Sequence, residues 1–426
     1  MRVLVIGSGG REHTLCWKIA KSPLVAEVFC APGNGGIAQD SICIDMAADD
    51  IGGMVRFVKD NNIELTIVGP EAPLAAGIVD SFRAENLAIF GPDKSAAALE
   101  GSKAFAKEVM RAHTIPTAQY GVFSDAESAM AYIKRASFPV VVKADGLAAG
   151  KGVLVTSSKE EAYAAVHEVM VKRSYGDAGN KAVIEELLTG EEASFIAICD
   201  GENVLPLASS QDHKRVFDND AGPNTGGMGA YSPAPVVDEA VASAVMEKIL
   251  NPLVAGLKKQ GITYKGVIYA GLMITPRGPS VLEFNVRMGD PETQPLLMRL
   301  KGDIVPVLLT VAKGESIKNY RLEWEKGPSV CVVIASGGYP GSIEKGKVIT
   351  GIEKADAIDG VKVFHAGTML KGNSFVTSGG RVLGVTALGD DLLSTIKKAY
   401  QAVSLISFEG MHYRKDIGRK ALKRLS

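Results

Sequence analysis

Val281-Leu282-Glu283-Phe284-Asn285-Val286-Arg287 runs directly into Met288-Gly289-Asp290-Pro291-Glu292. Side chains alternate along a strand, so Glu283, Asn285 and Arg287 are expected on one face at spacings of about 6.6–6.8 Å, with Leu282, Phe284 and Val286 packed on the other. A carboxylate and an amide oxygen suit magnesium, which takes hard oxygen ligands and leaves much of its shell to nucleotide phosphates. The arginine one step on can stabilise negative charge on a group in transfer. The turn after it projects further charge at the same place. An ordinary half-exposed strand with a polar face is the bland alternative. It weakens here because the three polar residues follow apolar strands and adjoin that turn.

Upstream, residues 266–275 form a second apolar strand, joined through the turn PRGPS, and a helix is expected over 236–260. Residues 211–235 are polar and Gly-rich, too long for an ordinary connector, and so a candidate functional loop. Before them the pattern predicts a small α+β lobe. It has a helix over 102–113, strands around 120 and over 138–144, 152–156 and 182–187, and a helix over 159–171.

Within that lobe VVVKADGLAAGKG (140–152) is one residue short of a Walker A loop, and Gly152 stands where a Ser or Thr would bind magnesium. Strands flank it on both sides, so the glycines belong to a hairpin-like flap. Such a flap, with Lys151, can close over phosphates and exclude water. Lys143 ends an apolar strand where its charge needs an anionic partner. A mobile surface hairpin with a solvated lysine is the other explanation.

The first ninety residues alternate strands (2–7, 25–30, 64–69, 87–91) with helices (11–21, 50–60, 74–85). That pattern predicts a parallel sheet with ligands at the carboxyl ends of its strands. Gly7-Ser8-Gly9-Gly10-Arg11-Glu12 leaves the first strand and opens a helix, a place where backbone N–H groups can hold a phosphate. A nicotinamide site fits poorly: Glu12 replaces the third glycine of the dinucleotide fingerprint, and no acidic residue ends the second strand. A tight turn without a ligand is the bland alternative to a sugar-phosphate site. Residues 32–36 (PGNGG) and 69–73 (GPEAP) supply two further loops. The last hundred residues, from about 327, read as β-rich with one helix near 390–405.

Composition sets the class. A chain of 426 residues with a formal net charge of −1 suits two to four soluble domains and argues against nucleic-acid binding through overall charge. The five cysteines include no CxxC pair, which points to free thiols in a reducing compartment. No signal peptide and no membrane-length apolar run are read, so a cytoplasmic location is expected.

Taken together these residues resemble the ATP-grasp superfamily and, within it, the glycinamide ribonucleotide synthetase (phosphoribosylamine–glycine ligase) family, essentially end to end. The most specific carriers are Arg287–Gln294, Asp212-His213-Lys214-Arg215, the glycine-rich 222–229 and the opening Gly9-Gly10-Arg11-Glu12-His13. The resemblance implies a multidomain α/β and α+β protein. Its parts would be an N-terminal parallel-sheet (Rossmann-like) domain over 1–101, a two-lobed ATP-grasp core over 102–326 and a small β-rich domain over 327–426. Within the core the ATP lobe would be about 120–188 and the larger lobe 189–326.

The implied reaction is ATP + glycine + 5-phosphoribosylamine → ADP + phosphate + glycinamide ribonucleotide, through glycyl phosphate, in purine biosynthesis. The implied cofactors are ATP and Mg²⁺, with Mn²⁺ able to substitute. Lys103 and Lys143 would meet phosphates, under a flap of Gly150, Lys151 and Gly152. Glu185 and the Leu188 backbone would read adenine, with Glu186 among the ATP-binding residues and Glu191 on the ribose. Glu283 and Asn285 would hold the metal. Arg287, Lys214 and Asp290 would be catalytic and line the glycine and acyl-phosphate region with Asp212, and Asn224, Gly226 and Met228 would bind substrate. Gly9, Gly10, Arg11, Asn34, Gly35 and Glu71 would hold the phosphoribosylamine, and Arg381 would reach its phosphate. The strand Tyr269-Ala270-Gly271-Leu272-Met273 lacks the second acidic ligand of many superfamily members, which leaves one or two metal ions open. The partners implied are small molecules, not nucleic acid or membrane, with the chain a monomer or weak homo-oligomer. The alternatives are another ATP-grasp purine-pathway or carboxylating enzyme, a dehydrogenase built on the first glycine loop, and a non-catalytic nucleotide sensor.

Overall fold

Apolar runs cut short by glycine build the first sheet. The computed structural model describes residues 1–147 and 152–425. In it β1 (Arg2–Gly7), β2 (Glu27–Pro32), β3 (Ile42–Cys43), β4 (Leu65–Val68) and β5 (Ile89–Phe90) lie parallel in the order β3-β2-β1-β4-β5. Val3, Leu4, Val5 and Ile6 are all completely buried, as a strand covered on both faces requires. The chain turns in opposite directions on the two sides of β1, so the loops after β1, β2 and β4 gather at one edge. The single helix expected over 74–85 is two, Glu71–Ala76 and Ile78–Ala84, broken where Gly77 adopts a left-handed φ of +93°.

The next strands, β6 (Tyr120–Phe123), β7 (Val140–Ala144), β8 (Val153–Thr156) and β9 (Ala182–Glu186), form an antiparallel sheet in the order β6-β9-β7-β8. Val140, Val142 and Ala144 pack with Ala129, Ile133, Ala162 and Val166 of the covering helices. Alternation therefore turns Val141 and Lys143 to the opposite face.

Then come β10 (Glu191–Asp200), β11 (Val204–Pro206), four short strands, β12 (Gln211–Asp212), β13 (Arg215–Phe217), β14 (Ala221–Asn224) and β15 (Gly229–Ser232), and, after a long helix, β16 (Lys265–Thr275) and β17 (Gly278–Asn285). The second large sheet runs β11-β10-β16-β17. Its longest pairing, β10 against β16 from Glu191↔Ile274 to Asp200↔Lys265, uses a strand the sequence pattern does not single out.

The polar 211–235 segment is not a structureless loop. β12 and β15 add to a sheet whose other strands are Ser329–Ala335, Arg381–Leu388 and Val361–His365, through pairings such as Tyr231↔Val330. β13 and β14 make a separate hairpin. The helix Glu239–Lys259 is long and apolar enough to cross a membrane by length and composition alone, which corrects the expectation that no apolar run reaches that length. Its Val245, Ile249, Leu250, Leu253, Val254 and Leu257 are buried in the protein's largest core cluster.

Candidate active site

The strand β17 departs from strict alternation at one residue. Gly271 pairs with Glu283 and Leu272 with Val281, so Leu282 is an extra residue, a β-bulge. Val281, Phe284 and Val286 enter the large core, whereas Leu282 packs with Ala118, Leu188 and Met273. The expectation that Leu282 shares a face with Phe284 is therefore corrected: the bulge turns it to the side of Glu283 and Asn285. The bulge also releases two carbonyls from the ladder. Val281 O accepts a hydrogen bond from Thr117 Oγ1 (2.6 Å), and Leu282 O accepts one from Lys143 Nζ (3.0 Å).

Four cations converge on Glu283. Burial opposes its charge, but Lys214, Lys143, Lys103 and Arg287 together hold its carboxyl below the ordinary value. Lys103 is the first residue of the helix Lys103–Ala112, whose N-cap Ser102 accepts from Phe105 N (3.1 Å); its ammonium donates to Gly146 O (2.9 Å). Lys214 pairs with Glu192 (2.9 Å). Arg287 bonds Glu71 (3.2 Å), Glu100 (2.9 Å) and Asn285 Oδ1 (3.2 Å). Burial works against the guanidinium charge, yet Glu100 and Glu71 raise its pKa. Glu100, absent from the sequence-based site, also accepts from Val286 N (2.8 Å) and so links the helix Lys94–Gly101 to the end of β17.

Among the described residues no cluster of three or more His, Cys, Asp or Glu could hold a metal alone. Glu283 and Asn285 offer a carboxylate and an amide oxygen inside a ring of cations. That donor set fits Mg²⁺ sharing its shell with phosphate oxygens.

On the small-lobe side Glu185 is buried between two ammoniums, Lys143 on Oε1 (2.9 Å) and Lys107 on Oε2 (3.0 Å). Each carboxylate oxygen thus faces an ammonium, although Oε1 is buried without a hydrogen bond. Lys107 escaped the sequence reading, although its spacing of four residues from Lys103 puts both on one helix face. Glu186 accepts from Gln119 N (3.2 Å). Leu188 lies in the apolar patch with Leu282 and Met273. Glu191, expected near a ribose, pairs with Arg424 (2.6 Å), and the adjacent Glu192 holds Lys214. Gly152 O accepts from Ala144 N (2.9 Å) at the start of β8; Gly150 and Lys151 lie outside the described residues.

The first glycine loop is already occupied by its own helix. Glu12 accepts from Gly9 N (2.6 Å) and from Arg11 Nε (2.5 Å), and Arg11 Nη1 donates to Met288 O (3.1 Å). A Cβ at Gly7 would lie 2.5 Å from Glu12 Cγ, and one at Gly69 would strike the same carboxylate. The glycines therefore make room for Glu12, which places negative charge at the helix N-terminus. The Gly9 N–H is thus engaged by Glu12, whose charge a phosphate or pyrophosphate at this loop would meet.

The loop does border the Asp290 turn: a Cβ at Gly10 would lie 2.7 Å from Gln294 Nε2 and 3.5 Å from Asp290 Oδ1. Asn34 is also committed, donating to Ser8 O (2.8 Å) and His365 O (2.9 Å) and accepting from Gly36 N and Ile37 N, while Gly35 N donates to Thr368 O. These contacts seam the first domain to the last.

Asp290 bonds Arg381 (3.0 Å) and Gln294 (2.8 Å), and Arg381 also donates to Gly226 O (2.7 Å). Met228 is corrected to a core residue. It is fully buried with Val216 and Ala335, its N–H bonded to His213 O and its carbonyl to Val333 N. Asn224 lines a cavity of about 780 Å³ with Arg215, Phe217, Tyr339, Val153 and Val155. Asp212 is buried at the end of β12, and burial first, with Glu292, Glu192 and Glu283, pushes its carboxyl up to about 7 against the pull of Lys214.

Three family models cover the chain: the N domain of phosphoribosylglycinamide synthetase over residues 1–100, its ATP-grasp (A) domain over 101–293 and its C domain over 329–420. The phosphoribosylamine–glycine ligase of Yersinia pestis is 53% identical over 428 residues, covering 100% of both chains. That of Pseudomonas aeruginosa is 53% identical over 426 residues, covering 100% of this chain and 99% of its own. The crystal structure of the Thermotoga maritima phosphoribosylamine–glycine ligase superposes with a TM-score of 0.85 at 35% identity, covering 98% of this chain and 100% of that one. A Campylobacter jejuni biotin carboxylase shares only the fold (TM-score 0.75, 17% identity, 97% and 93% covered). Matched by all three domain models and by relatives along its whole length, the chain belongs to the phosphoribosylglycinamide synthetase family.

Proposed function

We infer that this chain is an ADP-forming ligase that joins glycine to 5-phosphoribosylamine, giving glycinamide ribonucleotide and phosphate in purine biosynthesis. The observation that carries the reading is the ring of Lys103, Lys143, Lys214 and Arg287 around Glu283 and Asn285. A carboxylate is a poor electrophile, so the acid must first be phosphorylated, and such a ring offsets the charge that develops as the γ-phosphoryl group moves. Bound at Glu283 and Asn285, Mg²⁺ or Mn²⁺ would act as a Lewis acid on the phosphate chain.

Arg287, braced by Glu71 and Glu100, stays charged and fixed throughout transfer to the glycine carboxylate. Lys214, held by Glu192, lies on the same side. The apolar patch of Leu188, Met273 and Leu282 offers a surface for adenine. The phosphoribosylamine nitrogen then attacks the carbonyl of glycyl phosphate and phosphate leaves. Asp290, locked by Arg381 and Gln294 beside Gly10, borders the N-terminal loops from which that amine would approach. We place the enzyme in the cytoplasm, acting on small molecules alone.

Glycine labelled with ¹⁸O in its carboxylate should yield labelled inorganic phosphate in step with ADP, and only when phosphoribosylamine is present. Label in AMP would overturn the mechanism. Equal ADP release with formate or bicarbonate in place of glycine would overturn the substrate assignment.

A further inference from the structure

We propose that Lys107 is a positioning residue of the nucleotide site: by sharing Glu185 with Lys143 it leaves the Lys143 ammonium charge available to the phosphates of ATP. The proposal rests on the ATP-using reading above, but on neither of its two other substrates.

Lys107 sits one turn after Lys103 on the helix Lys103–Ala112 and is 2% exposed. Its ammonium lies 3.0 Å from Glu185 Oε2 and donates to Thr117 Oγ1 at 2.7 Å, over the ring of Tyr120. The Thr117 hydroxyl passes its own proton to Val281 O. Lys143 reaches the other oxygen of Glu185 from β7 and donates to Leu282 O. One carboxylate therefore bridges two ammoniums from different lobes. Both are anchored at the carbonyls of the bulge immediately before Glu283.

Burying an ammonium is costly, and an apolar residue of similar volume would fill the same space at lower cost. The charge is what the arrangement needs. With Lys107 present, two positive groups face one carboxylate and a net positive charge remains beside the phosphate lysines. Without it, Glu185 and Lys143 neutralise each other. Burial lowers the Lys107 pKa to about 8, with Glu185 and Glu186 opposing the shift and Lys143 adding to it. Lys107 therefore carries its charge at neutral pH and sheds it in mild alkali. The Tyr120 phenol donates to Lys107 O, and burial raises its pKa, so it stays neutral in that range.

The test is calorimetric titration of the full chain with Mg·ATP, without glycine or phosphoribosylamine, between pH 7 and 9.5. At pH 7 Lys107→Met should weaken binding about tenfold, the size of one charge-assisted hydrogen bond. Wild-type affinity should fall across about pH 8, whereas Lys107→Met should stay low and flat. Should Lys107→Met fail to fold, Lys107→Arg keeps its charge throughout and should show no such fall. Met-variant binding within twofold of wild type at pH 7 would overturn the proposal. So would an alkaline fall kept in either variant, which would assign it to another group such as Lys103, or a flat wild-type profile. Failure of the ligase reading would show separately, as ADP release indifferent to glycine with this ATP titration unchanged.

Discussion

The loop after β1 and the end of β17 both present as anion sites in sequence, yet they fold into opposite electrostatic arrangements. In the loop, two of the donors a phosphate would use are taken by the loop's own carboxylate. Glu12 takes the Gly9 N–H and binds Arg11, and Gly7 and Gly69 have no side chain because that carboxylate lies against them. At β17 Lys103, Lys143, Lys214 and Arg287 gather around Glu283, although Glu185, Glu192, Glu71 and Glu100 pair with three of them. A glycine motif identifies which donors exist, but not which group consumes them. Strand periodicity identifies a face, and that face survives folding except where one inserted residue shifts the count.

The largest effect that sharpens this contrast is expected at Glu283. Glu283→Gln keeps shape and removes charge, so turnover should fall by roughly a hundredfold and the magnesium requirement should rise, with the melting temperature little changed. Wild-type behaviour across a magnesium titration would break the assignment of that face.

At the loop the expected loss is of stability. Glu12→Gln should cost about 1–3 kcal/mol in chemical denaturation, because the Arg11 pair and the charged cap are lost. Were the loop a phosphate site instead, removing its negative charge should tighten phosphoribosylamine binding, and a lower KM for that substrate would erase the contrast.

Asp212 gives a pH-dependent test on the side of β17. Its folded-state pKa of about 7 lies above the unfolded value, so its contribution to stability is complete below about pH 4 and is lost as pH rises through 7. The melting temperature of Asp212→Asn should therefore gain on wild type over that window, by roughly 2–4 °C, and hold the gain above it. A constant difference from pH 4 to 8 would mean that the carboxyl is ionised throughout.

The smallest effect concerns the bulge. Leu282→Ala should cost only about 1 kcal/mol of stability while weakening ATP binding, whereas Val281→Ala, in the core, should cost about 2–4 kcal/mol. Reversed costs would restore simple alternation.

Much of the fold was legible because its signals are local. The alternating strands and helices before residue 92, the flap-bearing antiparallel lobe and the polar face at Glu283 and Asn285 follow from periods of 2 and 3.6 and from glycine positions. What escaped has a common cause. β10, rich in small residues and opening on Glu191-Glu192, carries a weak strand signal. The pairing of β15 with Ser329–Ala335 joins residues about a hundred positions apart.

The residue types at the site, its glycines and the face shared by Glu283 and Asn285 are properties of the chain read in order, since backbone geometry repeats every two residues along a strand. Which charges belong to each other is not such a property. Glu185 between Lys107 and Lys143, Glu191 with Arg424, Arg287 between Glu71 and Glu100, and the burial of Met228 depend on distances set when separate elements pack. Charge pairing and burial act over a few ångströms in space whatever the separation in sequence, so only the packed molecule could determine them.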